Sequence, residues 1–187
     1  GDPHPESLVH WISALDMKSR TMQQAGNMAA LFAPALGLNA FGWVGDWMSL
    51  YADKGPFWEK FGEAVAKDGE DGAEEFIKDN VGRAPIGLNV EVTNPFKLTA
   101  FLAAFRAWIE QTSPGMTAWT NHQHKKQGYV KIAPAGETRE ELEDEGLDDL
   151  ALYYAPSAKL LTVTLDESLL KRSINRQLEA RALRKAK

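Results

Sequence analysis

Between Val81 and Leu98 the chain reads "VGRAPIGLNVEVTNPFKL", and there the spacing of its apolar residues changes period. Leu88, Val90 and Val92 alternate with Asn89, Glu91 and Thr93, the two-residue repeat of a strand with one wet face. Upstream the apolar positions recur every three or four residues, as on a helix. A chain holding both periods cannot be all-helical or all-β. The switch near residue 86 therefore makes the class mixed, and the absence of repeated strand–helix alternation after it favours α+β.

Upstream of the switch, Leu8, Trp11, Ile12 and Leu15 stand at helical spacing, as do Met22, Ala25, Ala29 and Phe32. The second run ends where Pro34 and Gly37 break the pattern. Phe41, Val44, Met48 and Tyr51 make a third stripe, stopped by "DKGP". Phe57, Trp58, Phe61 and Val65 make a fourth, and Ala73, Phe76 and Ile77 a weaker last one. Residues 6–80 are thus expected to form an N-terminal helical portion of four or five short helices.

Downstream, Asn94 and Pro95 open a helix, the first as a side-chain cap and the second where no backbone N–H is needed. Its stripe of Leu98, Phe101, Leu102, Phe105, Trp108 and Ile109 runs to "SPG" at 113–115. Residues 116–124 and 128–133 are expected to pair as a hairpin around "KKQG". "LALYYA" and "KLLTVTL" form a second hairpin around "PSA". The acidic run "ETREELEDEGLDD" is an exposed loop or a short polar helix, and Asp166 caps a final helix with Leu170, Ile174 and Leu178 on one side. Residues 86–182 then read β-α-β-β-β-β-α. Hairpin-linked strands predict an antiparallel sheet of about five strands, with helices 95–111 and 167–182 on one face. The expectation is a single domain over 1–187, because some 80 residues of short helices share the sheet's core more readily than they form one of their own.

Composition narrows the function. The net charge of −5 gives no global attraction to nucleic acid. Zero cysteines exclude disulfides, thiolate nucleophiles and Cys-based metal centres. The uncharged stretch from Thr21 to Gly45 is long enough to span a bilayer, but its Gln, Asn, Gly and central Pro34 favour a buried helix, a turn and a second helix. No Walker motif, complete G-x-G-x-x-G or G-x-S-x-G is present, and no cofactor is expected.

Two groups of residues stand out. His122 and His124, two apart on a strand, point the same way and could share a metal, with Glu91 on a neighbouring strand as third ligand. Lys125 and Lys126 would repel a dication there. The blander reading is a solvent-facing hairpin tip, with Trp119 and Tyr129 on the opposite face. The aromatic series around Trp43, Trp47, Tyr51 and Trp58 is denser than a small core requires. It reads either as core or as a binding surface for a protein, peptide or lipid partner. On the final helix, Lys171, Arg172, Arg176, Arg181, Arg184, Lys185 and Lys187 are solvated, or they dock a partner or the acidic run. The start "GDPHPESL", with no Met, is expected of a processed or cloned boundary. The expectation is a structural or binding domain of a larger bacterial protein, periplasmic or extracellular before cytoplasmic. The alternative is a hydrolase using His122 and His124 with carboxylates, metal-assisted.

Overall fold

A computed structural model of the chain describes residues 5–16, 19–32, 40–147 and 150–185. The described strands are β1 (Ser7–Ala14), β2 (Val44–Asp53), β3 (Ile86–Val92), β4 (Thr117–His124), β5 (Gln127–Pro134), β6 (Leu152–Pro156) and β7 (Leu160–Thr164). They form one sheet in the order β1-β2-β3-β7-β6-β5-β4, with every neighbouring pair antiparallel. The helices are α1 (Arg20–Phe32), α2 (Pro56–Asn80), α3 (Pro95–Thr112), α4 (Gly136–Asp144) and α5 (Glu167–Lys185).

The strands read from residue 86 onward are all present. Asn94 caps α3 as expected, its Oδ1 accepting from Lys97 N at 3.0 Å, and Asp166 Oδ1 accepts from Ser168 N at 2.8 Å at the start of α5. The acidic run forms α4.

The N-terminal portion corrects the expectation twice. Leu8, Trp11 and Ile12 lie on β1, and Val44, Met48 and Tyr51 on β2, so the sheet has seven strands rather than five. Helical spacing misled at β1 because an edge strand can carry apolar residues on both faces. Ile12 falls on one side and Val9 and Trp11 on the other, with Leu8 at the register shift, and together they imitate a helical stripe. Val9, Trp11 and Ile12 are also residue types that favour extended chain. Pro34 and Gly37, invoked to end the second helix, lie outside the described residues.

The two late stripes do form helix, joined as α2. Gly69 takes φ 65° and ψ −134° inside it, and the chain folds back there. Phe57 and Phe76 therefore meet with ring centroids 5.2 Å apart, where a straight helix would separate them by about 28 Å. Gly72 makes the return possible: a Cβ there would stand 2.4 Å from Ala64 O.

Helices cover both faces of the sheet, not one. Tyr153 and Tyr154 are adjacent on β6 and so point to opposite faces. Tyr153 joins Tyr129, Ala155, Leu170 and Ile174 beneath α5. Tyr154 packs with Trp43, Val92, Leu98, Phe101 and Leu161 beneath α3. The sequence carried a sign of this: "LALYYA" and "LLTVTL" hold apolar residues at successive positions, as strands buried on both sides do.

Candidate functional site

α5 crosses the sheet obliquely. Leu170 and Ile174 fill the space over β5 and β6, whereas Ser173, Arg176 and Gln177 face β1, β2 and β3. Over those three strands the packing gives way to an open cavity of about 620 Å³, a volume ordinary for a small-ligand site. His10 and Ile12 come from β1, and Trp47, Ser49 and Tyr51 from β2. The alternation of β2 aims Trp47, Ser49, Tyr51 and Asp53 to this side. Register aligns Ser49 with Asn89 and Asn89 with Thr162, and the Thr162 hydroxyl donates to Asn89 Oδ1 at 2.8 Å. This polar row sits where an apolar core would otherwise continue.

Tyr51 lies flat across β3, which requires Gly87: a Cβ at that position would come within 2.5 Å of its Cζ. His10 meets the Tyr51 ring edge-on at 6.3 Å. The Tyr51 hydroxyl is buried without a well-formed hydrogen bond. Burial pushes its pKa up, tempered by the Ser173 hydroxyl beside it.

At the next inward position of β2, Asp53 is only 1% exposed. Both of its oxygens accept from Arg176, at 3.0 and 2.6 Å, and Oδ2 also accepts from Arg172 Nε at 3.1 Å. Arg176 reaches on to Glu6 at 2.8 Å. Burial opposes its charge, but Asp53 and Glu6 outweigh that and raise its pKa. The cluster ties α5 to β2 and to the residue preceding β1. Arg172 thus engages Asp53 and Asp166, and Arg176 engages Asp53 and Glu6.

β1 is the edge of the sheet, and among the described residues nothing pairs with its outer side. Its sequence, SLVHWISA, holds no Asp, Glu, Lys or Arg. Leu8, Val9, Trp11 and Ile12 are each 50–58% exposed. On the face away from α5, Trp11 pairs with Leu50 and Val9 with Ala52, which in turn pairs with Ile86. Leu50 and Ile86 are exposed as well, so an apolar patch spans three strands. Edge strands are commonly protected by charge, proline or a bulge that turns them away. Here the only such device is a register shift between Ser7 and Val9.

The four aromatic residues singled out in the sequence do not share one surface. Trp43 is buried in the α3 core. Trp47 and Tyr51 line the cavity. Trp58 belongs to the bent α2, its Nε1 donating to Asp53 O at 2.9 Å.

His122 and His124 lie on β4, on the α5 side of the sheet, and Glu91 lies on β3. Three strands intervene, which sets Glu91 about 19 Å from the histidines. Glu91 instead accepts from Asp46 N at 2.7 Å. Among the described residues, no three His, Asp or Glu side chains are placed to share a metal. His124 Nε2 meets Asn175 Oδ1 at 2.9 Å, and His122 Nε2 meets the Thr120 hydroxyl at 3.0 Å. Trp119 faces away from the histidines as expected. Tyr129 does not: it pairs with His122 across the hairpin and stacks on its ring at 5.2 Å. The Lys125–Lys126 turn closes the hairpin in two residues, where strands at 116–124 and 128–133 would leave three, and this brings Tyr129 to the same face.

Tyr129 donates to Glu167, which also pairs with Lys171 at 3.1 Å. The Tyr129 hydrogen bond is the main cause lowering the Glu167 pKa, and Glu167 in turn raises that of Lys171. Sequence reading did not join Asp53, Arg176, Ser49 and Asn89 into one site. For Ser49 and Asp53 the signal was polarity at inward strand positions, legible only once β2 is known to be a strand. No protein-family model, curated protein or solved structure matches the chain.

Proposed function

We propose that this chain is a non-enzymatic binding domain that takes an extended segment of a partner polypeptide by strand addition at β1. The observation that carries this reading is an uncharged eight-residue edge strand with four large apolar side chains about half exposed. Main-chain hydrogen bonds would supply affinity, and side chains alternating to either side of the added strand would supply specificity. One set would meet Trp11, Leu50 and Ile86. The other would reach the cavity bordered by His10, Trp47 and Tyr51. Asp53 and Arg176 are positioning residues that hold β2 against α5 beneath it.

The test is selection from a library of random linear peptides displayed on phage. Enriched sequences are expected to alternate apolar and polar residues, to shift the amide resonances of β1, and to lose binding to the Trp11→Lys variant. Peptides that bind with β1 unperturbed, or bind Trp11→Lys as well, overturn the reading. A hydrolase reading rests on the Thr120–His122 contact alone. Ester hydrolysis lost in His122→Ala would bring it forward.

A further inference from the structure

A second pocket of about 350 Å³ opens between the bent helix α2 and the amino end of α5. Four cationic side chains from four places in the chain line it: Lys54 after β2, Lys60 in the first turns of α2, Arg83 in the short 3-10 turn that follows α2, and Arg172 of α5. Asp166 is the one carboxylate among the described residues that line it. Together the four cations give the lining a local excess of positive charge in a chain of net charge −5. Inside the fold, Arg172 is shared between Asp53 at 3.1 Å and Asp166 at 3.8 Å. Lys54 Nζ donates to Pro5 O, an uncharged partner, at 3.3 Å. Ser168, in the first turn of α5, also lines the pocket, so the positive end of that helix adds to the field.

Apolar side chains complete the lining. Phe57 and Phe76, held edge-to-face by the fold-back at Gly69, line the pocket with Pro56 and Pro85. Cations and aromatic rings in one pocket suit a ligand with an anionic head and a flat apolar body. Guanidinium and ammonium groups converging from several elements can engage the three terminal oxygens of a phosphomonoester, where a carboxylate offers two.

We infer that this pocket binds a small phosphomonoester carrying a flat apolar group. The site lies apart from the β1 edge and stands whether or not strand addition does.

Phenyl phosphate is the probe, with inorganic phosphate and benzyl alcohol supplying the head and the body separately, each followed by amide and aromatic NMR shifts on the intact chain. Saturable millimolar binding of phenyl phosphate is expected, with shifts at Lys60, Phe76 and Arg83 and weakening as salt is raised. Lys54→Gln/Lys60→Gln, an exposed pair whose change leaves the core intact, is expected to weaken it tenfold or more. Lys97→Gln on α3 is expected to leave it unchanged. Inorganic phosphate is expected to bind the same residues more weakly, and benzyl alcohol not to saturate. The inference is overturned if phenyl phosphate shows no saturable binding, if the double variant binds it as well as the parent, or if benzyl alcohol binds equally. A folded spectrum for each variant separates lost binding from lost structure.

Discussion

The two ends of the sheet solve the same problem in opposite ways. At the β4 end, the α5 face is filled by Tyr129, Tyr153, Leu170 and Ile174. The edge strand there, TAWTNHQH, is polar along most of its length and runs into Lys125 and Lys126. At the β1 end, the same helix leaves a cavity, an ion cluster replaces apolar packing, and the edge strand is apolar and uncharged. Apolar burial is non-directional and suits an end whose task is to stay closed. Hydrogen-bonded charge and open volume contribute less to stability and leave groups available to a partner. One end is closed by apolar packing, and the other is held by charge around open volume.

The strongest way to break this contrast is Asp53→Asn. It leaves the guanidiniums of Arg172 and Arg176 facing a neutral side chain, a loss of about 3 kcal/mol by the usual cost of removing one partner of a buried pair. Denaturant unfolding measures the total. Native-state hydrogen exchange is expected to locate the loss in β1 and β2 while β5 and β6 stay protected. Uniform deprotection across the sheet would show that the two ends are one cooperative unit.

A smaller effect is expected at the β4 end. Lys125 and Lys126 have φ values of 47° and 68°, the left-handed conformation that a two-residue hairpin turn needs and that L side chains resist. Lys126→Gly is expected to stabilise the protein by about 1 kcal/mol, read as a higher denaturation midpoint at constant slope. A null result would mean that this hairpin opens without the rest of the sheet.

The smallest effect is in pH. The Glu167 pKa is lowered from its ordinary 4.5, so its contribution is present above that value and is lost as pH falls through the folded-state value. Lys171 and Tyr129 are both raised, from 10.5 and 10.0, so their contributions are present below those values and are lost as pH rises past them. Because Glu167 and Lys171 are more than one-third exposed, solvent screening keeps the effect small. Thermal unfolding should show a flat plateau between the acid and alkaline limbs. The Tyr129→Phe variant should flatten both limbs, and unchanged limbs in it would remove this contact from the account.

Much of the fold was legible in the sequence wherever one strand face is apolar or a cap is explicit. The alternation at Leu88, Val90 and Val92, the Asn94–Pro95 helix start and the two later hairpins all needed only local information. β1 and β2 were not legible, because their apolar residues serve two faces and so lose the two-residue period. The site followed the same division. Tyr51 and Trp47 were singled out for being aromatic, but nothing local links them to Arg176 or Asn89, which lie far away in sequence.

The local sequence by itself determined the α+β class, the five later strands and the start of α3, because backbone preference and side-chain alternation act over a few residues. The tertiary structure alone decided which helix covers which face, that Asp53 meets Arg172 and Arg176, and that Glu91 lies far from His122 and His124. Those outcomes depend on strand order, and strand order is set by long-range pairing and burial that no local period encodes.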